Sequence, residues 1–254
     1  MHLARLTFAT IVRRKVWAVW LILMLVVPAV LPYTTPWEQD LTLIQPARAQ
    51  AAWVTLWVAA LTWGLFQGAG FGENLSKNGL GEYFSSQGVS RFSQLMQVFA
   101  SCVTSVFPLL GIALGICFVW TMPGEASEAR MWSYTLVEYG TLFLLVFSSL
   151  LLLAIALGTR LGSAVAYLIT LGLALYGLYG VGYLDLLFHV RKDAFLEAIW
   201  TLSPHYHLAD LTPRLVFKSG HIPGLDFAQI AAYLGALLLV HGFVSYASFR
   251  PRTR

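Results

Sequence analysis

Charge is what this sequence lacks most: Asp, Glu, Lys and Arg together make up 11% of its 254 residues. A soluble domain carries roughly a quarter of its residues as charges, because those side chains cover the water-facing surface. The shortfall excludes an ordinary water-soluble globule and leaves most of the surface to face lipid. Cysteine is equally scarce. Cys102 and Cys117 lie inside one apolar stretch, so no disulfide framework and no Cys/His zinc spacing follows. They read as small apolar packing residues. Signatures of autonomous chemistry are missing as well. No G-x-x-x-x-G-K-[ST] phosphate loop occurs, so the chain is not expected to hydrolyse ATP by itself. Neither G-x-S-x-G nor H-E-x-x-H nor paired carboxylates within an apolar stretch is present, which argues against a membrane hydrolase. No internal repeat and no low-complexity tract is seen.

Apolar length is what the sequence has instead. Its residues are 58% hydrophobic and its mean hydropathy is +0.70. A helix needs roughly 20 apolar residues to cross the hydrocarbon core. Six stretches qualify, at about 16–33, 51–71, 95–122, 132–157, 161–184 and 227–249. An isolated strand would leave its backbone groups unpaired in lipid, so each stretch is expected to be helical. The expected fold class is therefore an all-α integral membrane protein, with residues 1–254 as a single transmembrane domain. Arg13-Arg14-Lys15, the apolar run after them and Ala47-Arg48-Ala49 superficially imitate a cleavable leader. The stretch from Val27 to Ala49 is too long and too rich in proline for a cleavage region, so cleavage is not expected.

The net charge of +4 is an orientation signal. Arg5, Arg13, Arg14 and Lys15 precede the first span, Lys77 and Arg91 lie between the second and third, Arg160 between the fourth and fifth, and Arg250, Arg252 and Arg254 after the sixth. The opposite short loops hold only Arg48 and Arg130, together with the acids Glu38, Asp40, Glu125 and Glu128. Both termini are expected on the cytoplasmic side of the cell's inner (plasma) membrane. A nucleic-acid partner is not expected from this distribution. Arg191, Lys192, Arg214 and Lys218 lie in the long outer loop 185–226, where the bias counts for less. In that loop 186–202 is expected to form a short helix, and Pro204, Pro213 and Pro223 break the remainder.

Several glycine patterns read as packing faces rather than nucleotide turns. Gly68-x-Gly70-x-Gly72 closes a span with no strand before it, and Gly111/Gly115, Gly158/Gly162 and the cluster Gly172, Gly177, Gly180 and Gly182 suit close helix approach. His205, His207, His221 and Asp210 share the outer loop, but nothing supplies a tight fourth ligand, so a metal site is not expected. Ionisable groups within spans are costly and therefore candidates for function. Glu138, in the first turns of the fourth span, and His241, in the sixth, are the candidate translocation-path residues. Anchoring at the outer interface is the competing role for Glu138.

The most informative stretch is Lys77 to Phe92, KNGLGEYFSSQGVSRF, between the second and third spans. It resembles the segment of type-2 ATP-binding-cassette transporter permeases in which an acid/Gly-Thr pair leads into an amphipathic helix, ended by Ser-x-Pro, an apolar residue, Ser and Arg. Gly79, Glu82, Tyr83, Phe84, Ser86, Val89, Ser90 and Arg91 fall in register with that pattern. Leu80 stands for the Thr, Gly81 and Ser85 for apolar positions, and Gly88 for the Pro. The layout is similar as well: a basic N-terminal segment, six spans, and a broken outer segment with a Leu202-Ser203-Pro204 turn. The resemblance implies a cytoplasmic coupling helix between spans two and three, with Glu82, Tyr83, Phe84, Ser86, Val89, Ser90 and Arg91 meeting an ATPase subunit. In such an interface Tyr83 and Phe84 would be the aromatic anchors, and Glu82 and Arg91 charged contacts at the rim. It also implies an interfacial Met1–Lys15 segment, a second permease chain (homodimer or heterodimer), export as the direction, and no cofactor in this chain, with ATP and Mg bound by the partner. The competing readings are an ion-coupled carrier acting through Glu138 or His241, and a non-transporting scaffold or assembly factor. Trp53, Trp57 and Trp63 suit a lipid-like or amphipathic cargo, or an ordinary membrane-facing belt.

Overall fold

Long apolar runs with few charges have no partner in lipid for their backbone groups except their own helical ladder, and the molecule is built accordingly. The computed structural model describes residues 2–30, 41–191 and 193–251, and every regular element among them is a helix. In chain order these are α1 (His2–Arg13), α2 (Val16–Val30), α3 (Leu41–Ala59), α4 (Leu65–Lys77), α5 (Leu80–Ser86) and α6 (Arg91–Val119). Next come α7 (Ala126–Leu161), α8 (Ser163–Leu175), α9 (Val181–Arg191), α10 (Ala194–Leu202), α11 (Thr212–Val216) and α12 (Gly224–Ser248). A π turn at Ala60–Gly64 joins α3 to α4, and another at Tyr176–Gly180 joins α8 to α9.

Five helices among the described residues are long and apolar enough to cross a bilayer: Ile44–Lys77, Arg91–Val119, Ala126–Leu161, Ser163–Leu187 and Gly224–Ser248. They coincide with the second to sixth expected spans. Of the first, 16–33, the described part is the 15-residue α2; 31–33 lie outside the described residues, as do Glu38, Asp40, Lys192, Arg252 and Arg254. The expected helix 186–202 is divided in the structure. α9 carries on from the fifth span to Arg191, and α10 starts afresh where the Asp193 carboxylate accepts a hydrogen bond from the Phe195 amide at 2.8 Å.

The 36-residue α7 is the centre of the bundle, and every residue from Val146 to Ala156 is buried. At 1.5 Å per residue it is about 54 Å long, well beyond the roughly 30 Å hydrocarbon core. Its closest neighbour is α4. A Cβ at Gly158 would overlap the Ala69 carbonyl oxygen, and one at Gly72 the Ile155 carbonyl oxygen. Small residues thus let two backbones touch where no hydrophobic force drives helices together. Gly68 serves the same contact against Leu151, but Gly70, Gly111, Gly115, Gly172 and Gly182 face open space. Gly162 turns the chain between α7 and α8 at φ +82° instead of packing a face.

The tryptophans correct another expectation. Trp53 is 0%, Trp57 6% and Trp63 9% exposed; all three fill the bundle interior, and no lipid-facing belt is made by them. Trp53 stacks on Tyr139 of α7 at a centroid distance of 3.8 Å. α1 lies against α6 through Leu3, Thr7 and Ile11, an i, i+4, i+8 stripe whose polar middle member conceals its period from an apolar count. Its Ala4 amide donates to Gln97 Oε1 at 3.3 Å, and Ser101 Oγ returns a bond to the Ala4 carbonyl at 3.0 Å. α12 sits at the periphery, with only Leu234 and Ser245 fully buried.

Candidate functional site

Two polar assemblies lie at opposite ends of this bundle, one around α5 and one under the outer loop. α5 fills the corner between α4 and α6. Gly79, at φ +67°, precedes it and Gly88, at φ +78°, comes after it. Gly88 stands where the family pattern has Pro, in a left-handed conformation that proline cannot adopt. Val89 N then donates to Phe84 O at 3.0 Å, and Ser90 caps α6 by accepting from Ser93 N at 3.2 Å. The other departures from the pattern also have physical reasons. A Cβ at Gly81 would overlap the carbonyl oxygen of Pro251, because the C-terminal tail crosses α5 there. Ser85 Oγ donates to Gly81 O at 2.8 Å and accepts from Gln94 Nε2 at 3.0 Å. Gln94 is wholly buried and also donates to the carbonyls of Gly81 and Val89, both at 3.2 Å.

The predicted coupling residues divide by the direction they face. Tyr83 is 58% exposed, whereas Phe84 is 7% exposed and packs into the core. The expectation of two outward aromatic anchors is thus corrected: Phe84 fastens α5 to the bundle and Tyr83 is presented. Glu82 is exposed in the first turn of the helix. Ser86 is exposed, with its hydroxyl on the Tyr83 carbonyl at 2.7 Å, and Val89 is half-buried against the core. Arg91 is exposed as well, but it is engaged within the chain. Its guanidinium donates to Tyr246 O at 2.6 Å and Ala247 O at 3.2 Å and lies 5.3 Å from the Tyr246 ring centre. Arg160 donates to the carbonyls of Ala247 and Ser248. Two arginines therefore hold the C-terminal end of α12, where exposed carbonyls and the helix dipole favour cations. This clamp was not visible in the sequence, because Arg160 reads there as a topology charge and Arg91 as a topology charge and a contact for a partner.

At the other end, the segment 203–216 folds back into the bundle. Tyr139 on α7 is its anchor: its hydroxyl donates to Asp210 Oδ1 at 2.7 Å, meets Thr212 Oγ1 at 2.8 Å and accepts from Trp57 Nε1 at 3.1 Å. Asp210 also accepts from Thr212 N at 3.0 Å, which shapes the turn into α11. Deeper still, the fully buried Tyr206 reaches His241 Nδ1 at 3.2 Å, and the same nitrogen meets Ser149 Oγ. Burial pushes the Tyr206 phenol up to about 12, so it is a neutral hydrogen-bonding group. Tyr206 and Pro204 pack so closely on the π turn before α9 that a Cβ at Gly177 would meet them. Tyr176 OH and Ser203 Oγ, 2.6 Å apart, fix the same junction.

Glu138 and His241, the two candidate path residues, are not brought together. Glu138 accepts from Ile222 N at 2.9 Å and lies 3.8 Å from His221 Nδ1. It anchors the end of the outer loop. Ser149, the partner of His241, is eleven residues further along α7, about 16 Å by helical rise. His205 and His207 have ring centres 5.4 Å apart, but no group of three or more His, Cys, Asp or Glu that would suit a metal occurs among the described residues. Asp210, flanked by Leu208, Ala209 and Leu211, was the legible signal for the buried anchor: an acid inside an apolar run needs a partner.

No family model, no curated protein and no solved structure matches the chain.

Proposed function

We propose that the chain is the transmembrane permease subunit of an ATP-binding-cassette transporter, working as an exporter with a second permease chain and separate ATPase subunits in the inner membrane. Six spans are proposed, with both termini cytoplasmic. The described ends support a common side for the termini: α1 packs on the start of α6, and the tail at Phe249–Pro251 lies across α5, so both sit at one end of the bundle. ATP, Mg and the hydrolytic chemistry belong to the partner in this reading.

The observation that carries it is the two-faced character of α5. Its outer side presents Tyr83, Glu82 and Ser86, while its inner side is tied through Gln94 to α6 and through Pro251 to the chain that leaves α12. Displacement of α5 by a partner is conveyed at once to α6 and, through Arg91, to α12. α12 carries His241, and His241 holds Tyr206 of the inserted outer segment. A partner that binds ATP differently in two states would bias such a connected element between inward- and outward-open forms.

Purification from native membranes with identification of the accompanying proteins tests this. Co-purification of an ATPase subunit, lost in Tyr83→Ala with thermal stability intact, is the expected result. If the wild type brings no ATPase even after gentle crosslinking, the reading fails. The ion-coupled alternative is favoured by the hydrogen bonds of His241 at depth, and predicts transport without an ATPase that is abolished in His241→Gln. A scaffold predicts no transport at all.

A further inference from the structure

The elbow between α1 and α2 carries a feature that the coupling reading does not use. α1 and α2 meet at Lys15, which adopts φ +56°, an uncommon conformation for a residue other than glycine. Local bonds hold it: Lys15 N and Trp17 Nε1 both donate to Val12 O, at 3.3 and 3.0 Å. The bend leaves a cleft of about 270 Å³ between the two helices and α6, lined by residues including Phe8, Val12, Trp17, Leu21, Thr104 and Pro108. Its wall is apolar apart from hydroxyls, and that of Ser105 is already bonded to Cys102 O at 2.7 Å.

Beside this cleft stand Arg13, Arg14 and Lys15, all exposed. The Arg14 guanidinium is 6.0 Å from the ring centre of Phe71, midway along α4. No Asp or Glu occurs among residues 1–37 to balance these charges. Around the elbow the exposed side chains Leu6, Phe8, Val12, Val16 and Val19 are apolar, so the surface leading into the cleft suits hydrocarbon. A groove that takes an alkyl chain, beside three adjoining cations, has the chemistry of an amphiphile with an anionic head.

We propose that this cleft binds one anionic phospholipid of the adjoining leaflet, with an acyl chain in the groove and the phosphate on Arg13, Arg14 and Lys15. The site needs only the bilayer and is independent of any ATPase. The bound lipid bridges α1, α2 and α6 at the elbow.

The test uses the full chain in nanodiscs of phosphatidylcholine containing a minority of phosphatidylglycerol. One lipid or the other carries chain bromines, and the Trp17 signal is taken as the difference between wild type and Trp17→Phe. Brominated phosphatidylglycerol is expected to quench Trp17 at least about fivefold more effectively per mole than brominated phosphatidylcholine, the enrichment a single basic group gives near an anionic head. That preference should vanish in Arg13→Gln/Arg14→Gln/Lys15→Gln, and Thr104→Phe, which fills the groove, should protect Trp17 from both lipids. Equal quenching by the two lipids in the wild type, or a preference that survives the triple substitution, overturns the proposal. Shielding of Trp17 from both lipids in the wild type places protein in the cleft and overturns it as well.

Discussion

Tyr139→Phe isolates the polar part of the contact that holds the inserted outer segment. The ring stays, and with it the stacking on Trp53; only the hydroxyl is lost. A phenol oxygen donates one bond and accepts others. With the proton on Asp210 Oδ1, the bonds from Thr212 and Trp57 are accepted, and all three disappear together. Hydrogen bonds between buried elements of membrane proteins average about 0.6 kcal/mol each, which gives about 2 kcal/mol for the set. At 1.4 kcal/mol per factor of ten, local opening of 203–216 becomes about 30-fold more populated. Hydrogen exchange reads this directly. The amides of Leu208, Asp210 and Leu215, bonded within the segment to His205, His207 and Leu211, should exchange about 30-fold faster, while those in the centre of α7 keep their rates. Acceleration below about threefold, or the same acceleration throughout the bundle, would show that the Tyr139 hydroxyl does not fasten this segment.

Gly158→Val drives a side chain into the Ala69 carbonyl, which cannot move without displacing α4; a loss of about 3 kcal/mol or more is expected, read as a fall in melting temperature, with Gly70→Ala as a control expected to be neutral or stabilising. Burial, reinforced by the neighbouring His205 and opposed by Asp185, holds the His207 pKa below its ordinary 6.5. The folded chain therefore binds fewer protons than the unfolded one, so stability is retained above about pH 6.5 and declines as the pH falls below it; His207→Gln should flatten that decline in thermal scans. Arg91→Gln/Arg160→Gln removes both cations from the end of α12, and at about 1 kcal/mol per cation amide exchange at 247–249 should rise at least tenfold, with α7 unchanged.

The fold was legible where apolar length alone decided it. The second to sixth expected spans match observed helices, because an isolated apolar run satisfies its own backbone in lipid only as a helix. Their ends were not legible. α7 begins at Ala126 and ends at Leu161 rather than near 132 and 157, since helices that pack on one another persist past the apolar core. A short helix between the second and third spans was legible from the pattern of 77–92, yet the direction of Phe84 and Arg91 was not. A seven-residue helix has too few positions to reveal a face, and an arginine 155 residues away in sequence from its acceptor leaves no local mark. Glu138 was legible as an anchor by its place near the span's outer end. Tyr139 beside it was not, because tyrosine is ordinary in a membrane helix until its partners are known.

The π turn at Tyr176–Gly180 has a consequence for how this chain tolerates changes in length. A π turn is a single extra residue carried inside an α-helix. Were one residue deleted from it, α8 and α9 would join as a continuous α-helix, and everything beyond would turn by about 100° around the axis. The recess at Gly177 that receives Tyr206 would then be lost or displaced, and with it the place where the outer segment inserts. The extra residue is thus a phase correction: it sets one rotational angle below it, for the bundle, and another above it, for the outer loop.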